Sequence, residues 1–91
     1  MPLKGPFKLT GQNLYFVPSK PGVYVLGNEE GRVVYVGKSD RDLADRLRQQ
    51  VSSMHTGATQ FWYWDTWSQQ EADQMSETLT RKYASGSAVA G

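Results

Sequence analysis

Two short strand-like runs separated by a turn constrain this chain more than any other feature. Val23-Tyr24-Val25-Leu26 and Arg32-Val33-Val34-Tyr35-Val36 are rich in β-branched and aromatic residues. Such side chains pack well on a pleated surface. Between them lies Gly27-Asn28-Glu29-Glu30-Gly31, a cluster that favours a turn. The pattern predicts a β-hairpin with a loop of about four or five residues.

The next segments change period. Ser39 or Asp40 can cap a helix, with acidic residues crowding its first turn, where the helix dipole favours them. Leu43, Leu47 and Val51 recur every fourth position and give it one apolar stripe. Residues 52–58 are polar, contain Gly57 and read as a loop. Thr59 to Trp64 alternates as a third strand, with Phe61 and Tyr63 on one face and Trp62 and Trp64 on the other. Ser68-Gln69-Gln70-Glu71 is a capping-box pattern opening a second helix. Ala72, Met75, Leu79 and Tyr83 share one face of that helix. The order is β-hairpin, helix, strand, helix, an α+β chain.

The flanks are less regular. Residues 1–20 are punctuated by glycine and proline and read as an extension. Its apolar patch, Leu14 to Val17, is expected to cover one edge of the domain until Pro18 and Pro21 stop it. Residues 21–83 form the domain, and the small residues of 84–91 read as a flexible tail. The chain's 91 residues allow one small domain with a marginal core.

Composition narrows the function classes. The chain has no cysteine, which excludes disulfides and thiolate metal sites and fits a reducing, cytoplasmic setting. No apolar run approaches the roughly 20 residues of a membrane span, and the N-terminus lacks the apolar core of a signal peptide. The net charge of +1 is far from the strongly basic balance of many nucleic-acid binders. Five cations nevertheless cluster locally: Arg32, Lys38, Arg41, Arg46 and Arg48, interleaved with Asp40, Asp42 and Asp45.

Each conspicuous residue also has an ordinary explanation. Gly37-Lys38-Ser39 fails as a phosphate-binding P-loop, because the first glycine would have to stand at Arg32. Tyr24 and Tyr35 could each be strand residues filling a half-buried position. Arg46 lies four residues after Asp42, so the two could form a surface ion pair. His55 has no second His or Cys to complete a metal site. Trp62, Trp64 and Trp67 could stack on bases or simply fill the core.

Taken together and in order, these pieces resemble the GIY-YIG nuclease family. Gly22-Val23-Tyr24 stands for the first signature triplet and Tyr35-Val36-Gly37 for the second. Lys38 follows the second triplet, and Leu43-Ala44-Asp45-Arg46 matches the leucine and arginine of the next helix. Glu71-Ala72, Leu79 and Arg81-Lys82-Tyr83 fit the far helix without gaps. The closest likeness is to the amino-terminal nuclease domain of the bacterial nucleotide-excision-repair endonuclease.

The resemblance implies a three-stranded antiparallel sheet flanked by helices. It also implies hydrolysis of DNA phosphodiesters with one Mg²⁺ or Mn²⁺ ion held by a glutamate on the far helix. Tyr35 would help deprotonate the attacking water and Tyr24 would orient water and phosphate. Arg46 would bind the scissile phosphate, and Lys38 would tune Tyr35 or touch phosphate. Arg32, Arg41 and Arg48 would add nucleic-acid contacts. One family position departs, because Ser76 stands where the metal-binding glutamate belongs. A serine hydroxyl replaces an anionic Mg²⁺ ligand poorly. Glu77 lies one position on, about 100° around the helix, and can pair with Arg81. Glu71 is explained by the capping box. Two expectations follow: an endonuclease whose metal sits on Glu77 or Glu71, or a DNA- or protein-binding module that keeps the fold without cutting. Family members often join such a domain to a DNA-binding domain. A chain of this length would take its specificity from a partner protein, self-association or substrate structure.

Overall fold

The computed structural model describes residues 3–52 and 57–83. The side chain of Val51, His55 and the 84–91 tail lie outside the described residues. In chain order the elements are β1 (Lys4–Lys8), α1 (Gly11–Leu14), β2 (Gly22–Gly27), β3 (Val33–Ser39), α2 (Leu43–Ser52), β4 (Gln60–Asp65) and α3 (Gln69–Lys82).

The hairpin forms where the sequence places it. β2 and β3 pair antiparallel from Gly22–Ser39 to Leu26–Tyr35. The loop is organised by Asn28, whose side-chain oxygen accepts the N–H groups of Glu30 and Arg32, both at 3.0 Å. Gly31 supplies a φ of +80° that most side chains avoid. Beyond Leu26–Tyr35 the next pair is Gly27–Val33, so Val34 is an extra residue, a β-bulge.

The sheet has four strands in the order β1-β4-β2-β3, one more than the three expected. The addition is β1, drawn from the segment read as an extension. It escaped the sequence reading because every one of its residues is exposed, so no alternation marks it. Pro6 also sits beside a register shift between Lys4 and Phe7, as proline does on edge strands. Phe7 packs on Phe61 and Tyr63, with ring centroids 5.5 and 5.9 Å apart. Lys4 reaches Asp65 at 3.2 Å.

Each face of the sheet carries its own core. On one side Tyr24, Leu26 and Phe61 meet Leu43, Ala44 and Leu47 of α2 and Leu14 and Val17 from the α1 region. On the other, Val23, Val25, Val33 and Trp62 meet Leu79 and Tyr83. The alternation of β4 and the apolar face of α3 therefore hold as read. The Leu14–Val17 patch splits: Leu14 and Val17 are buried while Tyr15 and Phe16 face solvent.

The helix caps also differ in part. Ser68 caps α3, accepting the Glu71 N–H. For α2 the cap is Asp42, whose carboxylate accepts the Asp45 N–H at 3.0 Å, and not Ser39 or Asp40. Ser39 instead accepts the Asp42 N–H at 3.0 Å and so shapes the turn that leads into the helix.

Candidate active site

The two signature tyrosines meet because of strand register. β2 places Tyr24 on the α2 face, and its partner across the hairpin is Gly37. A Cβ at Gly37 would lie within the van der Waals radius of the Tyr24 ring and hydroxyl, so only glycine leaves room for the ring. Gly22 is fixed by a similar approach: a Cβ there would stand 2.5 Å from the Trp64 carbonyl oxygen and 3.0 Å from the Leu43 side chain. Tyr35, paired with Leu26, shares the α2 face, and its ring centroid lies 6.0 Å from that of Tyr24.

Their environments differ. Tyr24 is fully buried, whereas Tyr35 is 37% exposed. Burial pushes the Tyr24 phenol up to about 12; the neighbouring Tyr35 adds to the rise and the Arg46 guanidinium opposes it. Tyr24 is therefore a protonated donor at neutral pH, and its hydroxyl donates to Gln50 Oε1 at 3.4 Å. Arg46 acts on this phenol from α2, one turn past Leu43. No Arg46–Asp42 ion pair forms; the Asp42 carboxylate accepts the Asp45 N–H at the helix N-terminus. Tyr24, Tyr35 and Arg46 thus make one cluster.

Beside it opens a cleft of about 420 Å³ between the end of β3 and the start of α2. Lys38, Arg41 and Arg46 line it together with Asp40, Asp42 and Asp45. Among the described residues Arg41 makes no ion pair. Three of the five clustered cations converge here. Arg32 lies at the other end of β3, 3.9 Å from Glu30 in the hairpin loop, and Arg48 lies further along α2 without lining the cleft. The five do not form a single patch.

Lys38 has a role the sequence did not indicate. Its ammonium donates to the Asp73 carboxylate of α3 and stands 4.0 Å from Asp40. The hydrogen bond to Asp73, with the charges of Asp73 and Asp40, raises its pKa above the usual lysine value. It reaches α3 rather than Tyr35. Asp73 precedes Ser76 by three residues, so the two are neighbours one turn apart.

The two carboxylates expected to rescue a metal site are turned to other tasks. Glu77 accepts from Arg81 at 2.5 Å, and Glu71 accepts the Trp67 N–H at 3.3 Å as part of the cap. Among the described residues no group of three His, Cys, Asp or Glu side chains could hold an ion together. Asp73 and Gln50 were missed because nothing in their local sequence sets them apart; only the fold brings them to Lys38 and Tyr24. Trp62 belongs to the core and Trp64 packs against it, while Trp67 is exposed.

A hairpin with a tyrosine in each strand, a glycine beneath one ring and an arginine one turn into the following helix define the GIY-YIG nuclease fold. The chain superposes with a TM-score of 0.68 on the magnesium-bound GIY-YIG N-terminal endonuclease domain of UvrC from Thermotoga maritima. That match is 25% identical and covers 79% of this chain and 86% of the other. The chain belongs to the family described as a domain of unknown function, DUF7508, whose profile matches residues 1–84. Among curated proteins it is 33% identical over 84 residues to UvrABC system protein C of Oenococcus oeni, covering 84% of this chain and 14% of that one. It is 37% identical over 82 residues to UvrABC system protein C of Clostridium kluyveri, covering 79% and 13%. The chain thus spans about one seventh of the length of these relatives. No helix among the described residues is long and apolar enough to cross a membrane.

Proposed function

We propose that this chain is a DNA endonuclease that hydrolyses a phosphodiester beside Arg46 with the help of one Mg²⁺ or Mn²⁺ ion. The convergence of Tyr24, Tyr35 and Arg46 carries the reading. The guanidinium, free of Asp42, offers a planar donor fork to the scissile phosphate and offsets its charge. Tyr24 is protonated at neutral pH, so it donates a hydrogen bond and orients the phosphate or the attacking water. Tyr35, the more exposed ring, would accept the proton of that water while releasing its own to the solvent that reaches it.

The carboxylates nearest Ser76 along α3, Asp73 and Glu77, are the candidates to hold the ion, and each would have to exchange its present cationic partner for it. Asp73 already engages a cationic group, the Lys38 ammonium. Mg²⁺ keeps several waters and needs only one or two carboxylates, so this sparse set suits it. When bound, the ion would neutralise phosphate charge and lower the pKa of the attacking water. The likeness to UvrABC system protein C supports a place in repair incision, with target choice supplied by a partner protein or self-association.

The test is DNA cleavage in Mg²⁺ and in Mn²⁺. Arg46→Ala and Tyr35→Phe are expected to lose about 100-fold or more. A folded protein that cuts no DNA in either metal refutes the reading. Ser76 favours a second reading, a metal-independent and salt-sensitive DNA- or protein-binding module. If Ser76→Glu switches cleavage on in an otherwise inactive protein, that second reading holds.

A further inference from the structure

Trp67 is 86% exposed, more than any other large hydrophobic side chain among the described residues. Its backbone is held firmly. The Trp67 N–H donates to Glu71, the hydroxyl of buried Thr66 donates to the Ser68 carbonyl at 2.9 Å, and the Thr66 N–H donates to the Pro21 carbonyl at 2.7 Å. The Lys20 ammonium stands over the indole, 4.6 Å from the ring centroid. An apolar ring carried into solvent on a rigid turn contributes little to folding and is placed to bind a ligand.

Its position names the ligand. Gly22 pairs with Ser39 on one side and Asp65 on the other, so the β3–α2 turn and the β4–α3 turn meet at one end of the sheet. The Leu43 N–H donates to the Lys20 carbonyl at 2.9 Å, which ties Lys20 to the start of α2. The Trp67–Lys20 pair therefore stands at the same end of the sheet as the cationic cleft. Aromatic rings beside cations bind nucleotides by stacking on the base and meeting the phosphate. In an intact duplex the bases are paired and stacked on their neighbours, whereas an unpaired base can swing onto a protein ring.

We propose that Trp67 and Lys20 form a stacking subsite for an unpaired nucleotide next to the phosphate cleft. The substrate class is then DNA with a single-stranded or unpaired segment. This inference rests on the reading of the cleft as a DNA phosphate site.

The test uses fluorescein-labelled DNA in EDTA, followed by anisotropy: a single strand, a blunt duplex and a duplex with a single-stranded overhang. Trp67→Ala is expected to weaken the single strand and the overhang by about 5- to 100-fold and to leave the blunt duplex within about twofold. Trp67→Phe should keep most of the affinity. Lys20→Met should weaken binding and reduce the salt slope by about 0.7 to 0.9. The exposed position lets each variant fold, which thermal melts check. An unchanged affinity in Trp67→Ala, or an equal loss on all three DNAs, overturns the subsite. If Arg46→Ala still weakens all three in that case, the cleft reading stands alone. A Trp67-dependent dimer without any effect on DNA also overturns the subsite, in favour of an interface between copies. A protein that binds none of the three DNAs overturns both readings.

Discussion

Gly37→Ala pits two opposing effects against each other, and the structure fixes which wins. Gly37 lies in a regular strand, and its φ is outside the left-handed range that favours glycine. Backbone entropy alone would therefore stabilise the alanine variant by about 0.4–1 kcal/mol. Packing opposes this. The new Cβ would overlap the Cζ and hydroxyl of Tyr24, a ring with 0% exposure, enclosed with Leu26, Leu43, Leu47 and Phe61. The ring is rigid and has no open side, so strand or helix must shift. Overpacking of this kind costs about 1–3 kcal/mol, which outweighs the entropic gain. The net expectation is a loss of about 1–2 kcal/mol. For a domain of this size that lowers the melting temperature by roughly 4–16 °C. Thermal denaturation followed by circular dichroism measures it. Tyr24→Leu supplies the control: with the ring tip gone, Gly37→Ala should become neutral or stabilising, so the two changes are strongly non-additive. A Gly37→Ala protein as stable as the parent, or one whose loss persists in the Tyr24→Leu background, refutes the argument.

Other expectations concern charge. The Tyr24 phenol is held at about 12 against 10.0 in the unfolded chain, so the folded state disfavours the phenolate. The stability linked to this group is complete below pH 10 and is lost as pH rises from about 10 to 12, by roughly 2–3 kcal/mol in all. Urea titrations across that range should show the fall in the parent and lack this share of it in Tyr24→Phe; parallel curves would refute the linkage. Asp73→Asn breaks an ion pair whose side chains are both about half exposed, so stability should change by less than about 1 kcal/mol. The variant releases Lys38 toward the cleft, and DNA affinity in EDTA should rise with a salt slope steeper by about 0.7–0.9. The same variant should weaken Mn²⁺ binding, read by electron paramagnetic resonance; unchanged Mn²⁺ affinity would remove Asp73 from the donor set. Leu47→Ala, at a fully buried position in the α2-side core, should cost about 2–5 kcal/mol, as chemical denaturation will show.

Much of the fold was legible because period and punctuation agreed. The hairpin, β4 and the two long helices each carry an unambiguous pattern, and Ser68 with Glu71 marks the start of α3. β1 was not legible, because an edge strand held by one aromatic ring and backbone pairing needs no alternation. The same logic divides the site. Tyr24, Tyr35 and Arg46 could be anticipated from spacing. The choice of Arg46 between Asp42 and Tyr24 could not, since Tyr24 is 22 positions away in the chain and only the fold brings its phenol to the guanidinium. The attachment of Lys38 to Asp73 is a contact between residues 35 positions apart, and neither residue announces the other.

The bulge at Val34 bears on how a hairpin of this kind can vary over evolutionary time. Because Leu26 stays opposite Tyr35 while Gly27 pairs with Val33, one surplus residue is absorbed at the loop end of the ladder. The tyrosines, the glycine and the lysine keep their partners regardless. Loop length is thereby uncoupled from site geometry: an insertion near Val34 is silent, whereas one between Tyr35 and Ser39 would rotate the strand and turn Tyr35 away from Tyr24. A hairpin with a different number of residues in its loop can thus assemble the same constellation. What the constellation requires is strand pairing, not a fixed count of residues in the loop.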